Sequence, residues 1–134
     1  MNSLTNTTIL LVDDNLDSCD LLRFLFEEAG AFVVMAQTVD AALDAFRRCP
    51  AHAVIADIRI GASDGYSLLK SIRDTNAEYK GFTPVVAVTG FASPEDQERA
   101  LAAGFNGYFA KPFDPADVVD AVGRLLSHPQ DLAA

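Results

Sequence analysis

The sequence predicts a doubly wound α/β domain, and two features carry the prediction. Five short runs, TILLVDD, AFVVMA, AVIAD, PVVAVTG and GYFAKP, are continuously apolar instead of alternating, as strands covered on both faces are. Capped helical segments stand between them, so strand and helix alternate five times. With right-handed crossovers, that order gives a parallel sheet with helices on both faces. The chain has 134 residues, half of them apolar, which is enough for one domain with a sizeable core and cramped for two.

Taken in order, the first strand, TILLVDD, leads into NLDSCDLLRFLFEEAG, with Asn15 as cap candidate and Gly30 as the residue just past the helix end. The second strand stops at Ala36 without a chemically useful side chain, as suits a strand at the sheet margin. TVDAALDAFRRCP reads as a helix from Thr38 to the stop at Pro50. AVIAD ends on Asp57. The third helix reads as short, from about Ser67 to Arg73, with DTNAEYKGFTP as a polar loop after it. The fourth, SPEDQERALAAG, opens with Ser93 as cap, Pro94 in the first turn and Asp96 closing a capping box. Its apolar face is weak (Ala100, Leu101, Ala103), which suits a movable surface. The fifth repeats the device with Asp114 and Pro115, and Val118, Val122 and Leu125 form its stripe. No internal repeat or linker divides the chain.

Composition excludes several classes of function. A net charge of −9 is opposite to what a nucleic-acid binder or a protein of anionic membrane surfaces needs. No apolar run approaches the length of a transmembrane helix, and MNSLTNTT lacks the features of a signal peptide. Cys19 and Cys49 have no metal-ligand spacing and read as reduced thiols of a cytoplasmic protein. His52, beside a turn, and His128, in the tail, suggest neither a metal site nor a histidine catalyst.

The polar residues fall in a pattern. Asp13 and Asp14 end the first strand, Asp57 the third, Thr89 the fourth and Lys111 the fifth. A parallel sheet brings these ends to one edge, where ligands of open α/β sheets bind. A charge at the end of a core strand is costly unless paired. Carboxylates gathered there invite a divalent cation, and oxygen ligands without histidine or thiolate favour Mg²⁺, or Mn²⁺, over zinc. Lys111 and the Thr89 hydroxyl suit an anion arriving with the metal. Together these groups describe a site that makes an aspartyl phosphate. A structural network of buried ion pairs is the plainer alternative.

With LLVDDN, an Asp seven residues before DGY, AVTG and GYFAKPF in this order and spacing, the sequence resembles the receiver domains of two-component response regulators over roughly Thr7 to Leu126. The resemblance implies a flavodoxin-like sheet of order 2-1-3-4-5. It implies that Asp57 is the phosphoacceptor, taking its phosphoryl group from a histidine kinase or phosphotransfer protein. Asp14, Asp57 and the backbone carbonyl of Arg59 would hold Mg²⁺, with Asp13 acting mostly through a metal-bound water. Lys111 would contact the phosphoryl oxygens, Thr89 would move toward them, and Tyr108 would turn inward as the coupled switch aromatic. The Lys111–Pro112 peptide would be cis. Output would pass to a downstream protein through the face of the fourth helix, fifth strand and fifth helix, from a monomer or a phosphorylation-dependent dimer.

Ile60-Gly61 replaces the family's usual Met-Pro after the phosphoacceptor, removing proline's stiffness and allowing positive φ at Gly61. Arg59 places a long cation where an attacking water would enter, and Phe91 is a candidate cover; together they predict altered dephosphorylation. Asp64 reads as the start of a turn with Gly65. Tyr108 as a half-buried strand aromatic and Thr89 as a plain strand former are the bland alternatives. A flavodoxin-type binder is disfavoured by Asp13-Asp14-Asn15, which repels a phosphate. An aspartate-based phosphatase is disfavoured by Arg59 where a second acid is needed. A receiver that never takes phosphate is a further alternative. Only SHPQDLAA follows Leu126, so the expectation is that no effector domain follows; the Met1 start favours a stand-alone receiver, with a receiver excised from a hybrid kinase or larger regulator as the alternative.

Overall fold

The computed structural model describes residues 4–60, 63–79, 81–90 and 93–127. Five strands, β1 (Thr8–Val12), β2 (Phe32–Ala36), β3 (Ala53–Asp57), β4 (Val85–Thr89) and β5 (Gly107–Ala110), form one parallel sheet in the order β2-β1-β3-β4-β5. The helices are α1 (Asp20–Glu28), α2 (Val39–Arg48), α3 (Gly65–Tyr79), α4 (Pro94–Ala103) and α5 (Pro115–Ser127). This is the doubly wound architecture the apolar runs predict, and β2, which carries no chemistry, lies at the margin.

Alternate residues of the strands face two cores. Leu10, Val54, Val85 and Ala87 point to the side covered by α2, α3 and α4, where Phe46, Leu68 and Ile72 are buried. Ile9, Ile55, Val86 and Val88 point to the side of α1 and α5, packed on Phe26, Val118 and Val122. Phe113 joins this second layer, its ring 6.4 Å from that of Phe109.

The caps at Thr38 and Ser93 form as the sequence implies: Thr38 accepts from the Ala41 N–H, and Ser93 and Asp96 make a reciprocal capping box. Gly30 sits at positive φ just beyond α1, and Asp114 accepts from the Ala116 N–H at the start of α5.

Two elements differ from the reading above. Asn15 makes no side-chain capping bond; the chain first winds a 3₁₀ turn, Leu16–Cys19, and α1 begins at Asp20. The Asp13 carboxylate takes the Asn15 N–H at 3.0 Å, so the side chain two residues upstream organises this turn. The larger correction concerns α3, which is not short: it runs 15 residues to Tyr79 through what reads as a polar loop. Thr75 is buried there because its hydroxyl donates to the Ser71 carbonyl at 2.9 Å. Asn76 is buried because Thr83 answers it, accepting from its amide at 3.0 Å and donating its N–H to Asn76 Oδ1 at 3.2 Å.

Arg73 completes that arrangement. It donates to the Thr83 carbonyl (2.6 Å), Asn76 Oδ1 (3.2 Å), the Gly104 carbonyl (3.2 Å) and Asn106 Oδ1 (2.9 Å), and lies 4.2 Å from the Phe82 ring centroid. Burial lowers its pKa from the ordinary arginine value. At the far end of β1, His52 Nδ1 accepts from the Thr8 N–H at 2.9 Å, a structural role. Cys19 is buried and Cys49 exposed, and neither is in a disulfide among the described residues.

Candidate functional site

Asp13 and Lys111 directly follow β1 and β5, and Asp57 closes β3; the sheet brings all three to one edge. Lys111 Nζ lies 2.9 Å from Asp57 Oδ2 and 3.2 Å from Asp13 Oδ2, joining residues 54 and 98 positions away. The carboxylates are deeply set, Asp13 at 3% and Asp57 at 8% exposure, while the lysine side chain keeps 32%. Their remaining oxygens are oriented by local backbone: Asp57 Oδ1 accepts from the Arg59 N–H and Asp13 Oδ1 from the Asn15 N–H, each at 3.0 Å. Burial works to lower the Lys111 pKa, but its bonds to Asp57 and Asp13 and their charges outweigh it and hold the ammonium above its ordinary value.

Asp14 is exposed at the rim. Among the described residues, no three His, Cys, Asp or Glu side chains cluster closely enough to form a metal site by themselves. The donor chemistry nonetheless fits a hard cation. Asp57 uses two of roughly four acceptor positions, and a Mg²⁺-type ion keeps several water ligands instead of demanding an all-protein cage.

Thr89 is fully buried at the end of β4 and lines a polar cavity of about 200 Å³ with Ile58, Arg59, Tyr66, Asp96 and Arg99. Its backbone carbonyl accepts from the Lys111 N–H at 2.7 Å, fixing β5 beside it. Space beside Gly90 is open. Tyr108, paired with Ala87 across β4 and β5, is half-buried against the α2–α3–α4 core. Burial, then the charge of Asp96, then Tyr66, raise the pKa of its phenol. The Lys111–Pro112 peptide is cis.

Gly65 is a residue whose necessity the sequence hides. A Cβ there would stand 3.0 Å from both the Asp57 carbonyl oxygen and Ile58 Cα, and its N–H donates to the Ile58 carbonyl at 2.6 Å. The segment reads as an Asp64-Gly65 turn; instead Arg59–Ile60 and Ser63–Asp64 pair as a two-residue antiparallel ladder, and Gly65 begins α3. Tyr66 and Arg99 were likewise invisible as neighbours of Thr89, since no local pattern links α3 to α4. Gly61, Phe91, His128 and the Asp64 side chain lie outside the described residues.

Residues 9–123 match the family model for the response regulator receiver domain. The chain belongs to that family. It is 37% identical over 133 residues to a 14.6 kDa protein encoded in the sodA1 3′ region of Leptolyngbya boryana, covering 98% of this chain and 99% of that one. It is 30% identical to the transcriptional regulatory protein ZraR of Escherichia coli over 96% of this chain and 28% of ZraR. With the sensory/regulatory protein RpfC of Xanthomonas campestris it shares 30% over 93% of this chain and 17% of RpfC. The chain thus spans a small part of these larger regulators. Among solved structures, the Francisella response regulator 1452 receiver domain superposes with a TM-score of 0.82 at 27% identity, over 92% of this chain and 99% of that one. Vibrio cholerae CheY4 gives 0.77 at 27%, over 88% and 97%. Receiver domains are signalling modules that work with histidine kinases and phosphotransfer proteins. Among the described residues of this one, no helix is long and apolar enough to cross a membrane.

Proposed function

We propose that this receiver is a phosphorylation-operated switch in which Asp57 accepts a phosphoryl group from a phosphohistidine of a histidine kinase or phosphotransfer protein. The observation that carries the reading is the Lys111 bridge to two buried carboxylates drawn from separate strand ends. In the transfer, an Asp57 carboxylate oxygen attacks phosphorus, the P–N bond breaks as the P–O bond forms, and the ring, already protonated on its other nitrogen, leaves as neutral imidazole. The Arg59 N–H holds the carboxylate in place, and Lys111, charged throughout, moves its attraction onto the incoming phosphoryl oxygens.

Asp13, Asp14, Asp57 and the Arg59 backbone carbonyl are the groups to hold Mg²⁺ or Mn²⁺, which when bound offsets phosphoryl charge. Thr89 then donates its hydroxyl to the phosphoryl group, and Tyr108 follows it inward. The face of α4, β5 and α5 carries the signal to a downstream protein, and Ala100 is the one buried residue of α4. Such a switch shifts an existing equilibrium, with couplings of about 1–3 kcal/mol. The domain acts as phosphoacceptor and hydrolyses only its own phosphate.

Similarity to receiver-sized parts of RpfC and of the sensor histidine kinase GacS of Pseudomonas protegens supports a second setting, transfer within a phosphorelay. Intact mass after incubation with Mg²⁺ and acetyl phosphate tests the chemistry. One hydroxylamine-labile phosphoryl group on the wild type and none on Asp57→Asn is the expected result. A wild type that binds Mg²⁺ yet takes no phosphoryl group from acetyl phosphate or from any phosphorylated kinase partner sinks it.

A further inference from the structure

Helix α4 is the most loosely held of the five. Of its ten residues only Ala100 is buried, and Leu101 beside it faces solvent. Something other than a core stripe must fix its position, and the residue preceding Ala100 supplies a tie. The Arg99 guanidinium carbon lies 4.7 Å from the Tyr66 ring centroid at the start of α3, and Tyr66 is anchored edge-on against buried Phe105, 5.5 Å away at 80°. The stacked pair forms one side of the cavity of about 200 Å³ into which Thr89 faces, with Asp96, one turn back on α4, on the same lining. That volume is several times the roughly 30 Å³ share of a water molecule. Tyr108 lies on the same face of the sheet, beside Ala87 and two pairs from Thr89.

We propose that the Arg99–Tyr66 stack is a latch: it ties α4 to α3 and occupies the mouth of the Thr89 cavity, so that Arg99 positions the switch in its resting state. The inference rests on the reading of Thr89 and Tyr108 as the switch pair. For Tyr108 to swing toward Thr89 its ring enters space that Arg99 guards, and the stack must open. Burial first and the charge of Asp96 second keep the Tyr108 phenol neutral, so the ring that would move carries no charge. Opening the latch frees α4 together with the cavity, which couples the buried threonine to the outer surface of the helix. Arg99 touches none of the reacting atoms; it acts through Tyr66.

The test uses full-length protein carrying 3-fluorotyrosine, with ¹⁹F spectra read at Tyr108 and beryllofluoride plus Mg²⁺ as the phosphoryl mimic. In wild type the Tyr108 signal moves when the mimic binds. In Arg99→Gln the mimic-free signal already lies part-way to the bound position, and the mimic binds about two- to fivefold more tightly, the scale of one exposed cation–π contact. Tyr66→Phe keeps the stack and behaves as wild type. If wild-type Tyr108 responds but Arg99→Gln changes neither signal nor affinity, the latch is wrong and the switch stands. If the mimic binds and wild-type Tyr108 does not respond, the switch reading falls and the latch with it.

Discussion

The two ends of the sheet bury polar residues to opposite effect. Where β4 and β5 begin, Arg73 spends four of its five N–H donors on Thr83, Asn76, Gly104 and Asn106 and leans on Phe82, while Asn106 Oδ1 also takes the Val85 N–H at 2.9 Å. Where the strands end, Asp57 accepts one backbone N–H and one lysine, leaving about half its acceptor capacity for a newcomer. Both networks are buried and charged. The first is nearly saturated, so it fixes geometry; the second holds capacity in reserve, so it can change partner. Saturation, more than burial or charge, separates a structural polar cluster from a reactive one.

Breaking the saturated end has the largest expected effect. Arg73→Met leaves the Thr83 and Gly104 carbonyls without this donor and Asn106 Oδ1 with the Val85 N–H alone, and lowers stability by about 2–4 kcal/mol in urea unfolding, with Arg73→Lys unable to restore the fork of contacts. A loss under about 1 kcal/mol would show that the cluster is ornamental and erase the contrast. Next is Gly65→Ala, whose methyl group meets backbone at 3.0 Å beneath Asp57. It costs about 1–3 kcal/mol and displaces the loop after Asp57, so on the proposed function unfolding midpoint and phosphorylation rate should fall together.

A third measurement concerns pH. The folded state raises the Lys111 and Tyr108 pKa values, so it binds their protons more tightly than the unfolded chain does. That stabilisation is complete below the ordinary values of 10.5 and 10.0 and is lost as pH climbs through the raised ones. Alkaline unfolding of the wild type should therefore steepen above pH 10 or so, and Lys111→Met should lose part of that slope; equal slopes would mean that the bridge does not hold the lysine proton. The smallest effect is on dephosphorylation. Arg59 lies exposed on the cavity that contains Thr89, and Arg59→Asn should change the lifetime of the acyl phosphate without changing stability. An unchanged lifetime would remove Arg59 from the chemistry.

The same contrast explains what could be read from the sequence. Asp13, Asp57, Thr89 and Lys111 are legible because each terminates an apolar run, and a parallel sheet sends all such ends to one edge. The caps at Thr38 and Ser93 are legible because their partners lie three residues away. Helix α3 is not, because Asn76 becomes a buried helical residue only when Thr83 and Arg73 meet it, and nothing local in DTNAEY announces those partners. Gly65 and the Arg99–Tyr66 pair were hidden for the same reason: a close approach to β3 in one case, and a contact between separate helices in the other. Asp14, adjacent to a legible residue, is set apart by its exposure, which spacing alone does not reveal.

The span of the Lys111 bridge has a consequence for how the molecule comes into being. Asp13 emerges early in synthesis and its lysine 98 positions later, after all five strands of the sheet. Until the last strand is docked, a partly folded chain holds these carboxylates without the lysine that bridges them. On the proposed function, reactivity therefore doubles as a certificate of completion: a half-assembled chain presents Asp57 without its lysine, and only a domain with its last strand in place offers the complete site.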